Sequence, residues 1–253
     1  MRVTAAFSRL LHLDGVHVRD VVFEPGRVVV LVALRRRRLV CSLCAFSTPH
    51  RHDVRPVDSV WRHLDLGTWR LEIRARLRRL ICPTHGVRVE GVPFARAGSD
   101  FTRDVEDLVA WLATRTDKST ITRMVRIHWR TVGRIIQRVC REKLDPDRLD
   151  GLVQIGIDEV SWRKGHRYLT LVADHGRGKI VWGAEGAGAT VADEFFQQLG
   201  AQRTAQITAV SMDMGPGYAK STRTNAPQAV ICIDPFHVAK LGGDALDEVR
   251  REH

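Results

Sequence analysis

Gln154-Ile155-Gly156-Ile157-Asp158, Ile207-Thr208-Ala209-Val210-Ser211-Met212-Asp213 and Ala229-Val230-Ile231-Cys232-Ile233-Asp234 are built alike: an apolar, largely β-branched run that finishes on an aspartate. Each is short and bounded by Gly, Pro or polar residues, so each is predicted to be a buried strand. An unpaired carboxylate at the end of such a strand is costly. A divalent cation bound through oxygen ligands is one arrangement that offsets the cost.

The segments around these runs complete an order of elements. Residues 153–159, 167–174 and 179–183 read as three antiparallel strands. Thr190 to Leu199 reads as a helix capped by Thr190 with Asp193 in its first turn. Strands at 207–213 and 229–234 follow, joined by a helical linker, and a last helix is expected to begin near Ala239. That order is the order of a ribonuclease-H-like fold, in which the first and fourth strands lie side by side and would bring Asp158 and Asp213 together. Two adjacent carboxylates can hold the pair of Mg²⁺ ions that stabilises attacking and leaving oxygens in phosphodiester chemistry.

Upstream, the composition changes. The chain has 253 residues and a formal net charge of +11. Residues 1–150 carry 29 Lys and Arg against 17 Asp and Glu, whereas residues 151–253 carry 11 against 12. A basic first half beside a neutral second half points to a polyanion held by the first. No apolar run is long enough to cross a membrane, and no secretory leader is read at the start, so a cytosolic protein is expected.

Within the basic half, Val16–Phe23 and Val28–Leu34 flank Pro25-Gly26 and predict a hairpin. The run Trp69 to Leu77 alternates with period two and is expected to form a strand with one cationic face that delivers Cys82. Cys41-Ser42-Leu43-Cys44 and Cys82-Pro83-Thr84-His85 supply four ligands in two tight pairs, the pattern of a closed tetrahedral zinc site with a structural role. His50 and His52 lie beyond the compact knuckle and read as surface residues. Arg35–Arg38, Arg74, Arg76, Arg78 and Arg79 are read as phosphate contacts in preference to a merely solvated face.

Residues 98–150 carry a helical pattern. Val105, Leu108, Val109 and Leu112 mark a first helix. Ile121, Met124 and Val125 mark a short second one that Ser119 can cap. Val132, Ile135, Ile136 and Val139 mark a third from about Trp129 to Lys143, after a turn at Ile127-His128. A short helix, a tight turn and a longer basic helix make a helix-turn-helix pattern. Arg130, Thr131 and Arg134 would approach bases, Arg138 and Arg141 would reach phosphates, and Arg126 completes the DNA-facing set. The expected fold is thus α+β and multidomain: a zinc-binding β-ribbon module at 1–95, a helix-turn-helix domain at 98–150 and a ribonuclease-H-like mixed α/β domain at 151–253, incomplete at its C-terminus.

The cysteine–histidine module, the helix-turn-helix near 119–143, Gly156-Ile157-Asp158-Glu159, Lys164-Gly165-His166-Arg167-Tyr168, Met212-Asp213-Met214 with Tyr218, and Asp234-Pro235-Phe236-His237-Val238 occur in that order. Together, over most of the chain, they resemble a DDE transposase of the ISL-three family of bacterial insertion sequences. The resemblance implies that Asp158 and Asp213 are the first two catalytic carboxylates, holding Mg²⁺ or Mn²⁺ for cutting and joining DNA. Asp234 and His237 fall on a recurrent family motif beside the site. Asp234 is an alternative metal ligand, or else a cap for the helix that follows, and His237 could instead be a hydrogen-bonded core residue. Glu159 is read as an orienting residue. One departure stands out: the third carboxylate is not identified. Asp244, Asp247, Glu248 and Glu252 fall on the solvent side of the last helix. The chain is therefore read as the front part of a transposase with weak or no catalysis, with a DNA-binding remnant or inhibitor of transposition, or a metal-dependent nuclease, as rival readings. The implied partners are double-stranded terminal repeats and target DNA, with no membrane, in a nucleoid-associated bacterial protein. Paired element ends are consistent with a homo-oligomer.

Overall fold

The computed structural model describes residues 2–163, 165 and 167–252. Lys164 and His166 of the Lys-Gly-His-Arg-Tyr motif, and the side chains of Arg163 and Glu252, lie outside the described residues. The chain divides into two compact units, Met1–Lys143 and Leu144–His253.

The first unit opens with α1 (Val3–Leu11), followed by β1 (Val16–Glu24), β2 (Arg27–Leu34), β3 (Leu39–Val40), β4 (Ser47–Thr48), β5 (Asp53–Val54), β6 (Ser59–Arg62), β7 (Arg70–Ala75), β8 (Arg78–Cys82) and β9 (Gly86–Val89). Three helices close it: α2 (Arg103–Ala113), α3 (Lys118–Val125) and α4 (Trp129–Lys143). The expected hairpin is present, with Glu24 opposite Arg27 and Gly26 at φ +73° in the turn. Its second strand is buried through Val28, Val30 and Val32, and β7 packs parallel to it through Leu71 and Ile73 in a sheet ordered β1-β2-β7-β6. Helix α1 was not read from the sequence, although Phe7 and Leu11, one turn apart, are the residues that pack onto this core.

The expected single strand from Trp69 to Leu77 is divided differently. β7 stops at Ala75, and a separate strand, β8, in a second sheet ordered β5-β8-β9, delivers Cys82. The basic residues around it are mostly engaged within the unit. Arg78 pairs with buried Glu90 at 2.7 Å, Arg76 with Asp58 at 2.5 Å and Arg74 with Glu72 at 2.8 Å. Arg79 pairs with Asp53, Arg36 donates to the Gly91 carbonyl, and Arg35 donates to the Val16 carbonyl at 2.7 Å. Much of the arginine run thus replaces apolar packing in a small β module that has little of it.

The second unit contains β10 (Gln154–Arg163), β11 (Arg167–Asp174), β12 (Lys179–Glu185), α5 (Ala189–Leu199), α6 (Ala201–Thr204), β13 (Ala209–Met212), α7 (Pro216–Asn225), β14 (Val230–Ile233) and α8 (Pro235–Glu252). One five-stranded sheet runs β12-β11-β10-β13-β14, antiparallel among its first three members and parallel from β10 through β13 to β14. The first and fourth strands of the unit are therefore neighbours, as expected. One face is packed: Ile155, Ile157, Val172, Val210 and Met212 meet Phe195, Phe196 and Leu199 of α5 and Tyr218 of α7. Two boundaries differ from expectation. α5 has Gly188, not Thr190, at its N-cap, and Asp193 instead accepts from Ser221 Oγ (2.5 Å) and Asn225 Nδ2 (2.8 Å) of α7. The last helix begins at Pro235, directly after β14, because Pro at the first helical position has its φ already set.

Candidate functional site

Parallel pairing aligns Ile157 with Met212, and Met212 with Ile233. The next residue along each segment is an aspartate, so Asp158, Asp213 and Asp234 follow one rung at the end of the parallel pairing of three adjacent strands, and neighbouring strands lie about 5 Å apart. All three line a cavity of about 310 Å³ on the sheet face opposite α5, together with Gly156, Leu171, Ala173, His175, Ile180 and Ser211. Asp158 is exposed, and Asp213 and Asp234 are half-buried. Each uses one carboxylate oxygen locally. Asp158 accepts from the backbone N–H of Glu159 (2.8 Å), Asp213 from that of Gly215 (2.9 Å) and Asp234 from that of Phe236 (2.9 Å). Asp234 therefore caps α8 and lines the pocket at once. His237 Nε2 lies 3.9 Å from its other oxygen.

The residues beside the aspartates are held from both faces of the sheet. Glu159, next to Asp158 but on the packed face, accepts from the Tyr218 hydroxyl at 3.0 Å. Burial, reinforced by Glu159, pushes Tyr218 above its ordinary pKa and keeps that proton in place. On the open face, His175 Nε2 and Ser211 Oγ are hydrogen-bonded at 2.7 Å across Gly156. A Cβ on Gly156 would meet His175 Nε2 at 2.9 Å and Ser211 Oγ at 3.0 Å, so glycine is what lets the imidazole lie over the strand. The turn carrying His175 is fixed by Asp174, whose carboxylate accepts from Gly176 N–H at 2.9 Å and pairs with Arg177. Sequence reasoning missed His175 as a pocket residue, since its partner Ser211 lies 36 positions away.

Cys41, Cys44, Cys82 and His85 converge, with all ligand atoms within 4.8 Å of one another. Cys44 Sγ is 3.7 Å from Cys82 Sγ, Cys82 Sγ is 3.5 Å from His85 Nδ1, and Cys41 Sγ is 3.8 Å from His85 Nδ1. Sulfurs about 2.3 Å from a tetrahedral ion stand about 3.8 Å apart, so this cluster fits zinc. Burial pushes the Cys82 thiol up, but hydrogen bonds from His85 and the backbone outweigh that and lower it to about 6, favouring the thiolate a metal needs. Leu39 and Leu80 are fully buried against the cysteines and form a small core of their own. His50 and His52 are exposed and take no part in the cluster.

The three helices pack through Val105, Val109, Leu112, Ile121, Ile127, Val132, Ile135 and Val139, whereas Leu108 and Met124, expected in the stripe, are exposed. Asp117, not Ser119, caps α3, accepting from the N–H groups of Ser119 (2.8 Å) and Thr120 (3.0 Å). The chain reverses at Arg126, in the left-handed region at φ 55°. Arg62 of β6 donates to the carbonyls of Val125 (2.8 Å) and Arg126 (2.7 Å), and Arg126 itself pairs with Asp65 at 2.5 Å. On α4, Arg130, Arg134 and Arg141 are exposed and Thr131 is half-buried. Arg138 pairs with Glu106, which is fully buried and also accepts from Ser99 Oγ (2.7 Å) and Arg96 (3.2 Å).

Comparison with known proteins falls on these same segments. Residues 90–140 match the helix-turn-helix domain of transposase family ISL3, and residues 155–253 match the ISL3 transposase domain. The chain belongs to the ISL3 family of transposases. It is 44% identical over 192 residues to the transposase for insertion sequence element IS1557 from two strains of Mycobacterium tuberculosis, covering 76% of this chain and 43% of that protein. It is 27% identical over 232 residues to the transposase for IS1001 from Bordetella parapertussis, covering 90% of this chain and 56% of that protein. The chain thus spans about half the length of these relatives. The three aspartates fall inside the ISL3 transposase match, and α2 to α4 fall almost wholly inside the helix-turn-helix match. Among the described residues, no helix is long and apolar enough to cross a membrane.

Proposed function

We propose that this chain binds the ends of an insertion-sequence element and carries the carboxylates of a transposase strand-cutting site. The observation that carries the reading is the alignment of Asp158, Asp213 and Asp234 just after one rung, opening into one pocket. The strand order β12-β11-β10-β13-β14, with α5 between β12 and β13, supports a ribonuclease-H-like fold for this unit. Asp158 and Asp213 are the proposed ligands of Mg²⁺ or Mn²⁺, and Asp234 is the adjacent third carboxylate. Such ions supply an activated water and stabilise the attacking and leaving oxygens at the phosphate. Glu159, clamped by Tyr218, positions the strand that carries Asp158.

In the first unit, Cys41, Cys44, Cys82 and His85 hold a structural zinc, and α4 enters the major groove of duplex DNA. Arg130, Thr131, Arg134 and Arg141 are its proposed DNA contacts. Arg126 and Arg138 serve to fix the helices, because both are committed to carboxylates of the protein.

The test is a cleavage and strand-transfer assay on labelled element-end DNA with Mg²⁺ or Mn²⁺, comparing the wild type with Asp158→Asn and Asp213→Asn. Metal-dependent nicking that both substitutions abolish is the expected result. Salt-sensitive binding with no cleavage by any variant would overturn the cutting role and leave a DNA-binding protein.

A further inference from the structure

β10 outruns the sheet. β13 pairs with it only from Gln154 to Ile157, whereas β11 accompanies it as far as Arg163, so a two-stranded ribbon continues past the aspartate rung. Asp158 and Val160 alternate onto one face of this ribbon, opposite Leu171 and Leu169. The pairing register then shifts between Ser161 and Arg163, and the extra residue is Trp162. A bulge of this kind re-aims the side chain it carries, and bulges concentrate beside active sites. Trp162 is 44% exposed and Val160 46%, an aromatic and an aliphatic residue open to water on the strand that bears Asp158. Arg167, across the ribbon, is exposed at the same end.

We infer that Trp162 is a stacking platform for an unpaired base of the DNA strand that enters the aspartate pocket, with Arg167 contacting its backbone. The inference rests on the strand-cutting role proposed above. Trp162 is four residues beyond Asp158, about 13 Å along the strand, within the span of the nucleotides flanking a phosphate held by the aspartates. An indole offers a face to any base, so the contact tolerates sequence. It also requires the base to be out of its pair, since bases stacked within a duplex present only their edges in the grooves. The occupant is therefore locally single-stranded DNA. Its phosphates complement the Arg167 guanidinium, and Val160 and Leu169 add an apolar bed beside the indole. The duplex-reading chemistry of α4 leaves this recognition to a separate surface.

The test uses the full chain without added Mg²⁺ or Mn²⁺. The probe is a short single-stranded oligonucleotide with a fluorescent adenine analogue that is quenched on stacking, beside the same sequence as a duplex. The wild type should bind the single strand and quench the probe. Trp162→Ala should weaken single-strand binding roughly tenfold and remove the quenching. Trp162→Phe should restore most of both, and duplex binding should stay unchanged in each. Equal binding and quenching by wild type and Trp162→Ala would overturn the platform, as would a parallel loss on duplex DNA. A parallel cutting assay of wild type and Asp158→Asn on the same DNA with Mg²⁺ or Mn²⁺ added separates the two readings. Quenching that depends on Trp162 in a protein that never cuts would reject the cutting role and keep the platform. Cutting lost in Asp158→Asn together with quenching indifferent to Trp162 would do the reverse.

Discussion

A single carboxylate organises much of the first unit. Glu106 is fully buried on α2 and accepts from Arg96, Ser99 and Arg138, which come from the preceding loop and from α4. Removing one member of a buried charged set leaves the others desolvated and unpaired, which costs about 3–5 kcal/mol. Glu106→Ala should therefore lower the stability of the first unit by about that amount in denaturant unfolding, and an effect below about 1 kcal/mol would show that the network is open to water. Gly156→Ala should separate His175 from Ser211 at little cost to stability, read as a shift of the His175 ring resonances in NMR. The sequence made Asp158, Asp213 and Asp234 legible because each ends a run that is conspicuous by itself. Glu106, Asp65 and His175 were not legible, since Arg138, Arg126 and Ser211, with which they pair, sit 32, 61 and 36 positions away and no local pattern marks them.

The helices followed their periodicity closely, and the third was read from Trp129 to Lys143, its observed bounds. What periodicity could not supply was the employment of its arginines. Arg130→Ala and Arg134→Ala should each weaken DNA binding, and a lost phosphate contact should lower the slope of log affinity against log salt by about 1. Arg126→Ala and Arg138→Ala should instead lower the melting temperature first, and a pure affinity effect from either would contradict the ion pairs described here. The strand reading failed at β7 and β8 for a related reason. Alternation continues through Arg76-Leu77, so the sequence carries no mark where the chain leaves one sheet for another.

Across the molecule, the two units should respond to different treatments. Chelation at the proposed zinc site should remove what holds together Leu39, Leu80 and strands of two to five residues. Calorimetry should then show the first unit melting earlier with the second unchanged. Acid should act on the first unit too. Arg103, with Arg96, holds the Glu142 carboxyl below its ordinary range. For Asp107, burial works upward but hydrogen bonds from Arg96 and Lys143 prevail and lower it. Because both values are depressed by folding, their stabilisation is complete above the ordinary carboxylate range of about 4 and fades as the pH falls through the folded values. Unfolding midpoints measured from neutral to acidic pH should decline in that direction, and a flat profile would mean that these pairs contribute nothing.

The grip of Arg62 on the carbonyls of Val125 and Arg126 also bears on how such proteins can be recombined. Helices α2 to α4 are not a detachable cassette, because the bend before α4 is held by a strand more than sixty positions upstream. A chimera that receives residues 98–143 from a relative should keep its own target preference only if the donor helices meet an arginine at position 62 and an acid at position 65. Swapping the helices onto an unmatched sheet should give a soluble but indiscriminate binder, measurable as a collapsed ratio of element-end to random-DNA affinity. Lineages that change target would then be expected to exchange the two segments as one block.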